Sequence, residues 1–332
     1  MTYRLSLLDK SPVAEGETAG QALARTLELA QRAEAWGYHR FWVAEHHNTS
    51  RLASPSPEIL LAWLAAHTRH IRLGSGGVML QHYSPYKVAE NFNLLASLAP
   101  GRIDLGVGKA PGGLPLSTRA LQKGVNPAQK GDFPAQLAEL TEWLSKRDET
   151  QDDFHALRAT PLPTHAPQRF LLGASLESAA LAAKLGWHFV FAGHLNGDKG
   201  LLGEVLSLWR QHARGEFLLA VQAVAAQSRP EAEALAQAAR LWLVELQNGQ
   251  KVTVASEAQA QAFIRQAGSP AARITPRTPS LLKGSAAEVR AELATLHQQF
   301  GISEFVIDTP FADGEARLRS LALLAAREEE LA

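Results

Sequence analysis

The chain reads as an α/β protein, a (β/α)8 TIM barrel with insertions at its carboxyl-terminal face, on two observations. Short β-rich runs alternate with longer stretches of helical periodicity, which favours a parallel sheet with crossover helices over separate all-α or all-β domains. Eight such runs occur in 332 residues, enough for a barrel of the usual ~250 residues with additions. The candidate strands are Tyr3–Leu8, His39–Ala44, Ile71–Ser75, Arg102–Val107, Phe170–Gly173, His188–Ala192, Phe217–Ala225 and Glu304–Asp308. Amphipathic stretches lie between them, among them Thr18–Trp36, Pro57–Thr68, Pro85–Leu98 and Glu231–Leu246, and a terminal helix is expected over Asp313–Glu330. The whole chain, 1–332, is expected to be one barrel domain.

Two segments exceed ordinary loop length: Ala110–Phe133, rich in Gly and Pro, and Gln247–Ser280, with one short helical stretch near Ala255–Gln266. Either is a lid over the face where barrel enzymes keep their sites or a tolerated surface excursion; 247–280 is the stronger lid candidate. Composition narrows the chemistry. Thirty-three basic and 33 acidic residues leave no formal net charge, so the footprint of a nucleic-acid or anionic-membrane binder is missing. Cysteine is absent, which removes disulfides, thiolate nucleophiles and zinc-thiolate sites. The opening residues match neither a signal peptide nor a membrane span, and a cytoplasmic protein is expected. No exposed apolar stripe stands out as an interface.

In a barrel the residues just after each strand line the site. Those residues are Asp9 and Ser11, then Glu45, His46 and His47, then Ser75, Gly76 and Gly77, then Gly108 and Lys109, then Ser175 with Ser178, then His194. Two imidazoles beside a carboxylate suit acid/base work near neutral pH. Adjacent histidines do not share a helical face, so a metal site would need ligands that no motif supplies, and none is expected. Gly173, Ala174 and Ser175 end a strand and open a helix, where backbone N–H groups and the helix dipole favour an anion. Ser175 and Ser178 add hydroxyls and Lys109 a positive charge, which together make a phosphate site; alone, Ser175 reads equally as an N-cap.

Several motifs then occur in one order: Ser6-Leu-Leu-Asp-Lys-Ser-Pro12, Ala44-Glu-His-His47, Leu73-Gly-Ser-Gly-Gly-Val-Met-Leu80, Ser84-Pro85, Val88-Ala-Glu90 and Pro100-Gly-Arg-Ile-Asp-Leu-Gly-Val-Gly-Lys-Ala-Pro-Gly112. This set resembles the bacterial luciferase-like family of flavin-dependent monooxygenases, densely from Gly37 to Gly112 and sparsely after Leu195. The resemblance implies a barrel that binds FMN, delivered reduced by a separate NAD(P)H-dependent flavin reductase, and uses dioxygen on a small organic substrate. It implies that His46 is the catalytic histidine, with Glu45 beside it, and that Ser75, Gly76 and Gly77 lie under the flavin ring at a bulged, non-proline cis peptide. It further implies that Lys109, Ser175 and Ser178 contact the phosphate. Lysine stands at 109 where the family often has arginine, and Ala174 stands where the luciferase pattern has an acid. Two other readings are a deazaflavin-dependent dehydrogenase on the same barrel and a non-catalytic flavin-binding protein. Dimers are common in such families, so a homodimer is possible.

Overall fold

The computed structural model describes residues 2–146, 157–236 and 241–326. Its centre is a closed barrel of eight parallel strands: β1 Arg4–Asp9, β2 Arg40–Val43, β3 Arg72–Ser75, β4 Ile103–Gly108, β5 Gln168–Gly173, β6 His188–Phe191, β7 Phe217–Ala226 and β8 Glu304–Asp308. Each pairs with the next, and β8 returns to β1. All eight correspond to the runs read from the sequence. Helices on the outside bury their apolar stripes against the odd-numbered strand residues, as with Leu5, Leu7, Phe41, Val43, Leu105, Phe189, Leu219 and Ile307.

Even-numbered residues face the barrel interior, and the registers stack them in layers. The lowest layer is charged. Arg40, only 2% exposed, donates to Glu304 at 2.8 Å, to Asp104 at 2.9 Å and to Gln168 at 2.8 Å. Arg4 reaches Glu304 at 3.0 Å, and Ser6 donates to the same carboxylate at 2.7 Å. Above this lies an apolar plug in which Trp42 meets Phe170 edge-on, followed by Leu8, Ala44, Val190, Ala220 and Val306. Gly74 is what admits Trp42: a Cβ there would stand 2.7 Å from both the indole and Asp104. The barrel is thus a packed core with a polar layer at each end.

The long connection after β7 differs from the sequence reading. The helix expected over Glu231–Leu246 is Arg229–Ala236, and Leu241–Leu246 is a strand, with 237–240 outside the described residues. That strand is central in an antiparallel sheet with Lys251–Val254 and Ala271–Arg277, and the helix Glu257–Ala267 covers it. Local helical periodicity lost to cross-strand pairing and to a separate small apolar core around Val244, Leu246 and Phe263. The insertion therefore begins near 241 rather than 247 and is a folded subunit of structure rather than a loop with one helix. Its return leg adds the strand Leu281–Ser285, parallel to the upper end of β7. The expected terminal helix is Gly314–Ala325; residues 327–330 lie outside the described set.

Two contacts locate the insertion. Gln266 accepts from the backbone of Leu116 at 3.1 Å, and its carbonyl accepts from Arg119 at 3.0 Å, on the helix Pro115–Leu121 that follows β4. Ser280 donates its N–H to Gly193 at 2.8 Å, just past β6. Both partners follow carboxyl ends of strands, so both long segments stand over that face.

An apolar patch also appears that the linear sequence does not display. Ile59 and Trp63 on the helix Pro57–His67, and Leu94 and Leu98 on the neighbouring helix Pro85–Leu98, are 38–70% exposed. Pro57–His67 is apolar around most of its circumference, which hides the exposed face from a periodicity argument.

Candidate active site at the barrel mouth

The period of two that orders the interior also sorts the Glu45-His46-His47 triplet. His46 continues the inward series Arg40, Trp42, Ala44; Glu45 and His47 fall on the other side. Glu45 is buried and accepts from the Met79 N–H at 3.0 Å, from the Tyr83 hydroxyl at 2.7 Å and from His47 Nε2 at 2.7 Å. Its carboxylate is engaged away from His46 and braces the loop after β3. The next loop is tied to the same group: the His47 N–H donates to Gly112 at 2.8 Å, and His82 Nε2 donates to the Pro111 carbonyl at 2.7 Å.

His46 itself is held through its backbone, whose N–H donates to Ser54 at 2.9 Å. Asn48 takes a left-handed conformation (φ 52°) that turns the chain back, a geometry asparagine tolerates. The returning segment walls an open cleft of about 410 Å³ lined by His46, Asn48, Thr49, Leu52 and Pro55. The His46 Nδ1 is buried without a hydrogen-bond partner in the protein. Burial pushes its pKa down to about 4, with a smaller push from Lys10 that Asp308 opposes. At neutral pH the imidazole is uncharged and can accept a proton.

Four more side chains share this layer, and sequence reasoning singled out only one of them as a strand-end residue, His194. Lys10 follows β1 and pairs with Asp308, the last residue of β8, at 2.7 Å. Gln222 on β7 donates its amide to the same carboxylate at 3.3 Å. His194, beyond β6, is buried, and its pKa is likewise pushed down to about 4 by burial. Counting by twos past the end of each strand would have found all four. Asp9 illustrates the opposite parity: it faces outward, where Arg317 donates to it at 2.6 Å and Thr26 at 2.6 Å.

At the neighbouring strand end the Gly76-Gly77 peptide is cis, and the Gly76 N–H donates to the Val43 carbonyl at 2.8 Å. Between the pairs Gly74↔Asp104 and Val78↔Val107, three residues of the β3 side oppose two of β4, a bulge. Ser75 fastens it, donating to the Gly106 carbonyl at 2.7 Å and accepting the Gly106 N–H at 3.0 Å. A Cβ on Gly77 would lie 2.9 Å from the Gly106 carbonyl oxygen, and one on Gly76 would lie 2.6 Å from Leu8. Glycine is thus required here by the protein's own packing.

Lys109 is exposed just past β4, and its carbonyl accepts from Gln81 at 2.7 Å. The Gly108↔Leu172 pairing carries it to the level of Gly173, at the start of the Ser175 turn. Ser175 caps the helix Leu176–Leu185: its Oγ accepts the Ser178 N–H at 3.2 Å and lies 3.0 Å from the Ser178 hydroxyl. A first helical turn offers further N–H groups with no intrahelical partner. Lys109, Ser175 and Ser178 therefore follow the adjacent strands β4 and β5, while His46 follows β2. Among the described residues no group of three or more His, Asp or Glu side chains is placed to hold a metal ion. No helix among them is long and apolar enough to cross a membrane.

Comparison with known proteins agrees with this architecture. The sequence profile of the luciferase-like monooxygenases matches residues 3–304. N-acetyl-S-alkylcysteine monooxygenase from Bacillus subtilis is 47% identical over 328 residues, covering 97% of each chain. Apo-MsnO8 superposes with a TM-score of 0.78 at 31% identity over 97% of each chain. The oxygenating constituent of 3,6-diketocamphane monooxygenase from Pseudomonas putida, solved in complex with FMN, shares the fold, with a TM-score of 0.68 at 18% identity over 98% of this chain and 97% of its own. The chain belongs to the luciferase-like monooxygenase family.

Proposed function

We propose that this member of the luciferase-like monooxygenase family is an FMN-dependent enzyme that inserts one atom of dioxygen into a small organic substrate. The observation that carries the reading is the inward His46, uncharged and with an unpartnered Nδ1, at the mouth that also holds the Gly76-Gly77 bulge and the Lys109–Ser175–Ser178 cluster. The residues present fit FMN: an anion-favouring helix start with a lysine beside it, a side-chain-free bulge, and buried polar atoms in want of a partner. When bound, FMN supplies the two-electron chemistry by which dioxygen is activated.

This chain's residues do the rest. Lys109, Ser175 and Ser178 would hold the phosphate, and Ser75 fastens the Gly76-Gly77 bulge to β4. His46 accepts a proton at the reacting end of the substrate, and Glu45 shapes the surrounding loops through Met79, Tyr83 and His47. The 241–280 insertion with 110–121 keeps bulk water from the mouth. The reduced cofactor comes from a separate NAD(P)H-dependent reductase in the cytoplasm. The Ile59, Trp63, Leu94 and Leu98 patch suits a homodimer, because an exposed apolar cluster of this kind favours burial against a partner.

Thioethers of N-acetylcysteine are the first substrate class to try, given the identity to the Bacillus subtilis enzyme. Purified protein titrated with FMN and with a deazaflavin, followed by oxygen uptake with reduced FMN and N-acetyl-S-methylcysteine, tests the reading. FMN binding with substrate-dependent product supports it. Binding of the deazaflavin alone, with oxygen-independent hydride transfer, would replace it.

A further inference from the structure

The inward ends of β6, β7, β8, β1 and β2 are consecutive around the barrel, and they carry His194, Gln222, Asp308, Lys10 and His46. A histidine buried only for packing normally finds a hydrogen-bond partner, since an unpaired polar atom in the interior costs about 1–3 kcal/mol. Here His46 Nδ1, His194 Nδ1 and Gln222 Oε1 all lack one within the protein. Three unpaired atoms in one layer indicate a surface shaped for something that enters the mouth.

The Lys10–Asp308 pair organises this surface. Asp308 is 2% exposed, and its carboxylate takes the Lys10 ammonium at 2.7 Å and the Gln222 amide at 3.3 Å. Because an ionised carboxylate only accepts, the Gln222 nitrogen must face it, which leaves Oε1 as a buried acceptor without a partner. The backbone beside His194 is held separately: Gly193 accepts from Ser280 at 2.8 Å, and Gly197 donates to Thr278 at 3.0 Å. His194 is therefore anchored to the return leg of the insertion.

We propose that His194 is a second proton-holding residue of the site, facing the same reaction space as His46, and that the Lys10–Asp308 pair is the positioning device that governs both. This rests on the reading of His46 as the proton acceptor and extends it to an imidazole across the mouth. The charged and titratable groups that act on His46 are Lys10, Asp308, His47 and His194; those acting on His194 are Asp308 and Lys10. Lys10 disfavours a proton on either ring, and Asp308 favours one. With both rings neutral, the mouth offers two acceptors at neutral pH without a net charge of its own.

Isotope-labelled histidine followed by NMR tests this, with His46 and His194 signals assigned by their loss in His46→Gln and His194→Gln. Both rings should remain neutral well below the ordinary histidine range. Lys10→Met should raise the proton affinity of both by threefold or more, and Lys10→Arg, which keeps the charge, should leave the wild-type values. A structural role for Lys10 would not move two imidazoles on different strands in the same direction. Saturating FMN, added to the wild type, should shift both signals together, a readout that needs no variant. Unchanged proton affinities in Lys10→Met, or an FMN-induced shift of His46 without His194, would overturn the inference. Failure of FMN to bind, read by its absorbance in the same samples, would instead remove the proposed function while the proton affinities still decide the role of Lys10.

Discussion

The two polar ends of the barrel interior use similar residue types in opposite ways. At the amino-terminal end Arg40 is clasped by Glu304, Asp104 and Gln168, with Arg4, Arg72 and Ser6 around the carboxylates; Glu304 Oε2 has the Arg4 guanidinium at 3.0 Å as an ion pair but no hydrogen bond. At the carboxyl-terminal end Lys10 and Asp308 pair, yet His46, His194 and Gln222 each keep a buried atom without a partner. Dense ion pairing suits stability, because a buried ion leaves water at a large cost that only close partners offset. Unpaired polar atoms suit binding, because a ligand can supply what the protein withholds. Under the proposed function, the contrast gives the floor to folding and the mouth to chemistry.

The largest expected effect breaks the floor. Arg40→Met leaves Asp104 and Glu304 buried with fewer partners, and urea denaturation should show a loss of about 3–5 kcal/mol. A loss below about 1 kcal/mol would mean that the clasp contributes little. At the mouth, Gly77→Val places side-chain atoms against the Gly106 backbone, which must shift the bulge. FMN titration should then show severe loss of binding, whereas retained affinity would detach the bulge from the flavin. Lys109→Ala should weaken FMN about fivefold to tenfold more than riboflavin, which lacks the phosphate, the modest factor reflecting an exposed lysine. Equal weakening of both would move the phosphate elsewhere.

The pH dependence separates the two ends more finely. In the folded chain the pKa values of His46 and His194 are depressed to about 4 by burial, while in the unfolded chain each is near the ordinary value of about 6.5. The unfolded state binds more protons between these limits, so the stability these rings permit is present above about pH 6.5 and declines as pH falls toward 4. His46→Gln should flatten that decline, measured as unfolding free energy across this window. An unaltered slope would show that His46 is not buried neutral.

How much of this was legible in the sequence follows from the physics of each part. All eight barrel strands were readable because a strand buried on both faces is a short apolar run between turn signals. Leu241–Leu246 was misread because a short segment carries both periodicities, and only pairing with Lys251–Val254 and Ala271–Arg277 decides between them. The Gly76-Gly77 geometry came from an ordered set of motifs, while its packing reason, Gly106 and Leu8 lying where a Cβ would clash, needs three dimensions. Gln222 and Asp308 went unnoticed because they belong to no motif, and Lys10, although inside the Ser6–Pro12 motif, is far in sequence from the carboxylate it pairs with. Parity along the strands was the available signal, and it also explains why Glu45 is turned away from His46.

The most direct test of the division between floor and mouth pairs two measurements on one variant, His46→Gln. The account predicts an unfolding free energy within about 1 kcal/mol of wild type, since His46 Nδ1 has no hydrogen bond in the protein to lose, together with a fall of about 100-fold to 10,000-fold in turnover of N-acetyl-S-methylcysteine by reduced FMN and oxygen. A destabilised protein that turns over at the wild-type rate would contradict it, placing His46 with the residues that hold the barrel together.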